Sequence, residues 1–100
     1  MKSAMLLLFS KRDPELRKYI LSTINKQLVR EIRVLIYNIL KGQIRITDKE
    51  KKALLPYSKF MIKLSNTPIK RATNLIKREG FTILPKFENI VREVIINSNE

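Results

Sequence analysis

The sequence predicts an all-α fold, a compact bundle of about five short amphipathic helices in one domain. Three observations predict it. Apolar residues recur every three or four positions along most of the chain, the spacing of one helix face. Prolines follow capping residues, in Asp13-Pro14 and Thr67-Pro68, where a helix can begin. Glycine occurs only at Gly42 and Gly80, each just past an apolar run, where a helix can end.

Residues 1–12 read as an N-terminal segment packed on a helical core of residues 13–97. The apolar run 5–9 is too short for a signal core and is followed by Lys11 and Arg12. A peripheral membrane contact is the alternative for this run. No stretch approaches the roughly 20 apolar residues of a membrane span, so no integral membrane segment is expected. The first helix covers residues 14–24, with Leu16, Ile20 and Ile24 on one face. Asn25 and Lys26 break it from a second helix over 26–41, although the two segments could also run on as one. That second helix carries a broad stripe of Leu28, Val29, Ile32, Leu35, Ile36, Ile39 and Leu40, and Gly42 caps its end.

The linker 43–46 alternates polar and apolar residues but has no partner strand. Thr47 and Glu50 then form a capping box before an apolar run. The third helix covers 47–64 and kinks or splits at Leu55-Pro56, because proline removes a backbone hydrogen bond. Thr67-Pro68 opens the fourth helix, which Gly80 ends, and Pro85 opens a fifth, to residue 97. The expected core is Leu35, Ile36, Ile39, Leu54, Phe60, Met61, Leu75, Ile76, Phe87, Ile90 and Val94.

The charge is one-sided. The chain carries 21 basic residues against nine acids, a net +12, and its pI is about 10.3. Residues 51–80 hold eight bases against the single acid Glu79. The spacing suits helices: Lys52, Lys59 and Lys63 oppose Leu54, Tyr57, Phe60, Met61 and Leu64. On the fourth helix Lys70, Arg71, Asn74, Lys77 and Arg78 oppose Ile69, Ala72, Leu75 and Ile76, about 180° apart at about 100° per residue. An ordinary surface helix intersperses Glu with Lys. A basic face almost free of acids is what phosphate binding needs, so these eight residues are the candidate nucleic-acid site. Asn74 is the only amide among them, which favours backbone contact over base-specific reading. The short joint at 65–67 permits a helix-turn-helix-like pair.

Tyr57, Phe60, Phe81 and Phe87 read as core rather than as stacking platforms, because they keep helical spacing with Leu and Ile. Val34 and Tyr37 lie off the main stripe of the second helix. They form a candidate self-association or partner patch, unless the fifth helix covers them. The chain has no Cys and no His, which excludes disulfides, thiolate and imidazole metal ligation and the usual general base. The nine acids show no ligand cluster or carboxylate pair. The reading is therefore not an enzyme, with no cofactor and no metal.

Residues 42–47 (GQIRIT), 51–64 (KKALLPYSKFMIKL) and 65–84 (SNTPIKRATNLIKREGFTIL) resemble a family of small basic proteins. These are encoded by Maverick/Polinton-type DNA transposons and the related adintoviruses. The resemblance covers roughly residues 12–84. It rests on a "Gly-x-Ile-x-Leu-Thr" opening, a "Leu-x-x-Tyr/His-Lys-x-x-Leu-Arg-x-Leu" helix and a basic segment ending in "Gly-Gly-Phe-Leu". The matching positions are Gly42, Ile44, Ile46, Thr47, Leu55, Tyr57, Met61, Leu64, Lys70, Arg71, Leu75, Ile76, Gly80 and Phe81. The chain departs from the pattern in reading Lys-Arg-Ala-Thr for a longer basic run, in having one Gly before Phe81, and in lacking a Gly-rich apolar tail. A membrane-active role is therefore not implied. The resemblance implies a virion or element-encoded structural protein associated with packaged DNA, intracellular, in the virion or the host nucleus. Together with the charge pattern, it leads us to expect non-catalytic, sequence-nonspecific binding of nucleic acid, duplex DNA above RNA, with a homo-oligomer or a capsid protein as further partners. The alternative is a protein-interaction module, a capsid-associated adaptor or host-factor inhibitor, whose basic face docks an acidic surface.

Overall fold

Among the described residues seven helices follow one another: α1 (Lys2–Phe9), α2 (Pro14–Ser22), α3 (Lys26–Leu40), α4 (Asp48–Leu54), α5 (Ser58–Asn66), α6 (Ile69–Ile83) and α7 (Glu88–Ser98). Short 3-10 turns, Leu55–Tyr57 and Leu84–Phe87, join α4 to α5 and α6 to α7. The structure is a computed structural model that describes residues 2–98, so Met1 of the expected N-terminal segment, with Asn99 and Glu100, lies outside the described residues. No strand occurs among the described residues, and the fold is all-α. There are two more helices than the sequence pattern counts. The N-terminal segment is itself helical, and the third predicted helix is split at Leu55-Pro56.

Local chemistry accounts for the boundaries. The Asp13 carboxylate accepts from the Leu16 N–H at 3.1 Å, and Pro14 fills the first helical position. Asn25 accepts from the Leu28 N–H at 2.8 Å, so α2 and α3 are separate helices. The Thr47–Glu50 capping box is complete: the Glu50 N–H donates to Thr47 Oγ1 at 3.1 Å, and the Thr47 N–H donates to Glu50 Oε1 at 2.8 Å. Gly42, at φ 75°, ends α3 in a Schellman motif. Its N–H donates to the Ile39 carbonyl and the Gln43 N–H to the Asn38 carbonyl.

Two boundary expectations fail. Thr67 does not cap α6; its hydroxyl donates back to the Lys63 carbonyl and closes α5, while Pro68 occupies the N-cap position. Gly80 does not end α6, which runs on to Ile83. It is buried inside the helix because α2 crosses close by: a Cβ there would lie 3.3 Å from Leu21 Cδ2 and 3.2 Å from Leu84 Cδ1.

α3 is the central element, with Leu28, Val29, Ile32, Leu35, Ile36 and Ile39 buried. Helices α5 and α6 pack against it, α2 lies on α6, and α1 is held between α2, α7 and the Leu84–Phe87 turn. Phe9 and Phe87 meet edge to face there, centroids 6.4 Å apart at 88°. Of the expected core, Leu35, Ile36, Ile39, Leu54, Phe60, Met61, Leu75, Ile76, Phe87 and Ile90 are buried and Val94 is half-buried. The radius of gyration, 12.6 Å, is close to the roughly 13 Å of a folded chain this long. No helix among the described residues is long and apolar enough to cross a membrane.

The α2 face needs correcting. Leu16 and Ile20 are only half-buried, whereas Arg17 and Leu21 point into the protein. Proline explains the buried arginine. A proline in or just after a helix has no N–H for the carbonyl four residues back. Pro56 leaves Lys52 without that donor, and the Leu55 N–H takes up its carbonyl, tightening the chain into a 3-10 turn. Pro68 does the same to Leu64; Arg33 Nε reaches that carbonyl at 3.2 Å, and Arg33 Nη2 reaches the Ser65 carbonyl at 3.1 Å. Pro85 does it to Phe81, whose carbonyl accepts from Arg17 Nη1 at 2.6 Å. The Arg17 guanidinium also lies over the Phe81 ring, 4.4 Å from its centroid. Arg17 is 7% exposed and has no carboxylate partner among the described residues. The partial negative charge at the end of α6 stands in for one.

Candidate nucleic-acid interface

The amphipathic pattern of α6 buries Ala72, Leu75, Ile76 and Gly80 against α3 and α2. Its opposite side must then face outward. Lys70, Asn74, Lys77 and Phe81 follow one another there at helical spacing, with Arg71 and Arg78 one step round toward α5. All eight expected site residues, Lys52, Lys59, Lys63, Lys70, Arg71, Asn74, Lys77 and Arg78, are exposed.

The fold gathers four of them. Lys63 of α5 and Arg71, Asn74 and Arg78 of α6 line one groove of about 380 Å³, together with Asn66, Thr67 and Pro68 of the joint between them. The groove exists because α5 and α6 pack side by side on α3 and meet at the Thr67-Pro68 joint. Lys59 lies one turn before Lys63 on α5, on the same side of the helix. Lys52 does not join them. It lies on α4, across the Leu55–Tyr57 turn from α5, and does not line this groove.

Lys77 faces the other way. With Phe81 it lines a second groove of about 380 Å³ whose far wall is Lys18, Leu21 and Ser22 of α2. The exposed side of α6 is thus a ridge between two grooves with cationic rims. Phe81 is 39% exposed, which corrects its assignment to the core. Tyr57 is half-buried, while Phe60 and Phe87 are buried as expected. Sequence reasoning missed Lys18 and Phe81 as members of this surface. The i, i+4, i+7, i+11 series from Lys70 to Phe81 was a usable signal for the second.

Charge neutralisation within the protein is sparse. Among the described residues, ion pairs join Arg78 to Glu79 at 3.4 Å and Arg92 to Glu88 at 3.5 Å. The first is exposed, 65% and 38% for the two side chains, and such pairs are weak. A further groove of about 460 Å³ has Lys11, Lys49 and Lys86 on its rim, with Glu50 and Tyr57. It gathers cations from three separate elements, and the helical spacing within any one of them gave no signal for it.

Val34 and Tyr37 are 58% and 46% exposed, so α7 does not cover them. Both line a shallow groove with Arg30, Arg33, Ser65 and Ile69, and the Lys41 ammonium sits 5.6 Å from the Tyr37 ring centroid.

Comparison with protein-family models, curated proteins and solved structures finds no match to this chain.

Proposed function

We propose that the protein binds nucleic acid without sequence preference, with duplex DNA as the favoured partner, through the outward side of α6 and the flanking parts of α5 and α2. The observation that carries this reading is the convergence of Lys63, Arg71, Asn74 and Arg78 on one groove, where among the described residues the ion pair is Arg78 with Glu79. Fixed cations on a helix ridge match the closely spaced phosphates of a duplex, and two of the four residues are arginines able to grip phosphate with two donors. One amide among cations leaves little means of reading base edges.

The likeness of residues 12–84 to the proteins of Maverick/Polinton-type transposons and adintoviruses supports a setting: DNA carried by such an element, in the virion or the host nucleus, with a capsid protein as neighbour. The test is retardation of random-sequence duplex DNA at two salt concentrations. Binding that weakens steeply with salt, equally for unrelated sequences, is the expected result. Absence of retardation at low salt, with retained binding to an acidic protein surface, would transfer the function to protein docking.

A further inference from the structure

We propose that Phe81 is a stacking platform for an unpaired base of single-stranded DNA, with Lys18 and Lys77 placed to hold the phosphates on either side. This rests on the nucleic-acid reading and adds a second mode to it: duplex held by phosphate contacts alone, single strands held by phosphate contacts plus stacking.

Exposed apolar side chains are ordinary on a soluble protein. Three observations together bear on Phe81. It stands on the basic ridge, in helical register with Lys70 and Lys77. Its ring is also held in place: the buried Arg17 guanidinium covers one face at 4.4 Å from the centroid, and the same guanidinium is anchored to the Phe81 carbonyl at 2.6 Å. Phe81, 39% exposed, also lines the groove of about 380 Å³ that it shares with Lys18, Leu21, Ser22 and Lys77. A pinned aromatic ring that shares a groove with an apolar side chain and two lysines is the composition that single-strand binding uses. The π-face accepts any base, and the cations track the backbone. In a duplex every base face is already covered by its neighbours, so the ring has nothing to stack on.

The experiment compares three probes of equal length: oligo(dT), an abasic oligomer of the same phosphate spacing, and a random duplex, all titrated at one salt concentration. The variants are Phe81→Leu and Phe81→Trp in the whole protein. The chain has no tryptophan, so the second variant carries a single fluorophore. Phe81→Leu should lose about 5- to 150-fold on oligo(dT), which corresponds to about 1–3 kcal/mol at about 1.36 kcal/mol per tenfold. It should lose less than about twofold on the duplex and the abasic oligomer. Phe81→Trp should keep its affinity for oligo(dT), with its fluorescence quenched by oligo(dT) and not by the abasic oligomer. Equal effects of Phe81→Leu on all three probes, or fluorescence indifferent to the presence of bases, would overturn the stacking role while leaving phosphate binding in place. Failure of the unsubstituted protein to bind any of the three would remove both readings together.

Discussion

Arg17 and Arg33 answer a deficit that proline creates. Pro85 and Pro68 remove the donor four residues on from the Phe81 and Leu64 carbonyls, and a guanidinium from a distant helix hydrogen-bonds each of them, Leu64 accepting also from the Thr67 N–H at 3.4 Å. A charge-assisted bond of this kind is worth about 1.5–3 kcal/mol. Arg17→Met keeps much of the apolar stem but removes the donor, so it should destabilise the fold by about that amount in urea unfolding. Pro85→Ala returns an N–H to the Phe81 carbonyl. In that background the Arg17→Met cost should shrink by at least about 0.5 kcal/mol, a coupling that a double-mutant cycle measures directly. Equal costs in both backgrounds would mean that packing of the stem, not the carbonyl, is what Arg17 provides. None of this was legible in sequence. Scoring only apolar side chains as inward turned α2 so that Leu16 and Ile20 faced the core. The acceptor that draws Arg17 inward lies 64 residues away in the chain.

At the scale of elements, caps that act within three residues were readable and those that depend on a neighbouring helix were not. Asp13, Asn25, Thr47 with Glu50, and Gly42 all sit where their local chemistry puts them. Gly42 and Gly80 looked alike in sequence, each following an apolar run, and the structure uses them differently. Gly42 supplies a positive φ with nothing within 4 Å of a would-be Cβ. Gly42→Ala should therefore cost about 1–2 kcal/mol through the backbone alone. Gly80 has ordinary helical φ and is small because Leu21 and Leu84 press on it. Gly80→Val should cost about 1–3 kcal/mol by overpacking and should loosen α2. Thermal or urea denaturation with amide exchange separates the two: exchange should speed up at the C-terminal turn of α3 in the first variant and along α2 in the second. A stable Gly80→Val protein with α2 protected would show that the crossing is looser than these distances require. The split of the third predicted helix belongs here too. Pro56 announced a disturbance, and its form is a 3-10 turn, Leu55–Tyr57, between the helices that carry Lys52 and Lys59. The groove that gathers Lys63, Arg71, Asn74 and Arg78 is built from α5 and α6, and Lys52 on α4 does not line it.

For the whole molecule, charge was the most legible property, because summing it needs no fold. What the sum could not show is which cations meet. Lys63 reaches Arg71 and Arg78 through the shared packing of α5 and α6 on α3, and Lys18 reaches Lys77 through the crossing of α2 over α6. A chain at +12 repels itself. Added salt screens that repulsion and should raise the urea midpoint of the free protein. The same salt should weaken the complex with random duplex DNA, because bound cations release counterions from the phosphates. Four phosphates neutralised by Lys70, Arg71, Lys77 and Arg78 give a log–log slope of about −3.6. Replacing Lys77 and Arg78 together by alanine should flatten that slope by about 2 and weaken all sequences alike. Both side chains are exposed, so stability should stay within about 0.5 kcal/mol. Glu79→Gln acts in the opposite sense. It releases Arg78 from its 3.4 Å pair and removes a negative charge from α6, so binding should tighten at every salt concentration. A folded double variant with unchanged affinity and slope, together with an inert Glu79→Gln, would assign the ridge to solvent and leave the docking of an acidic protein as the function of this face.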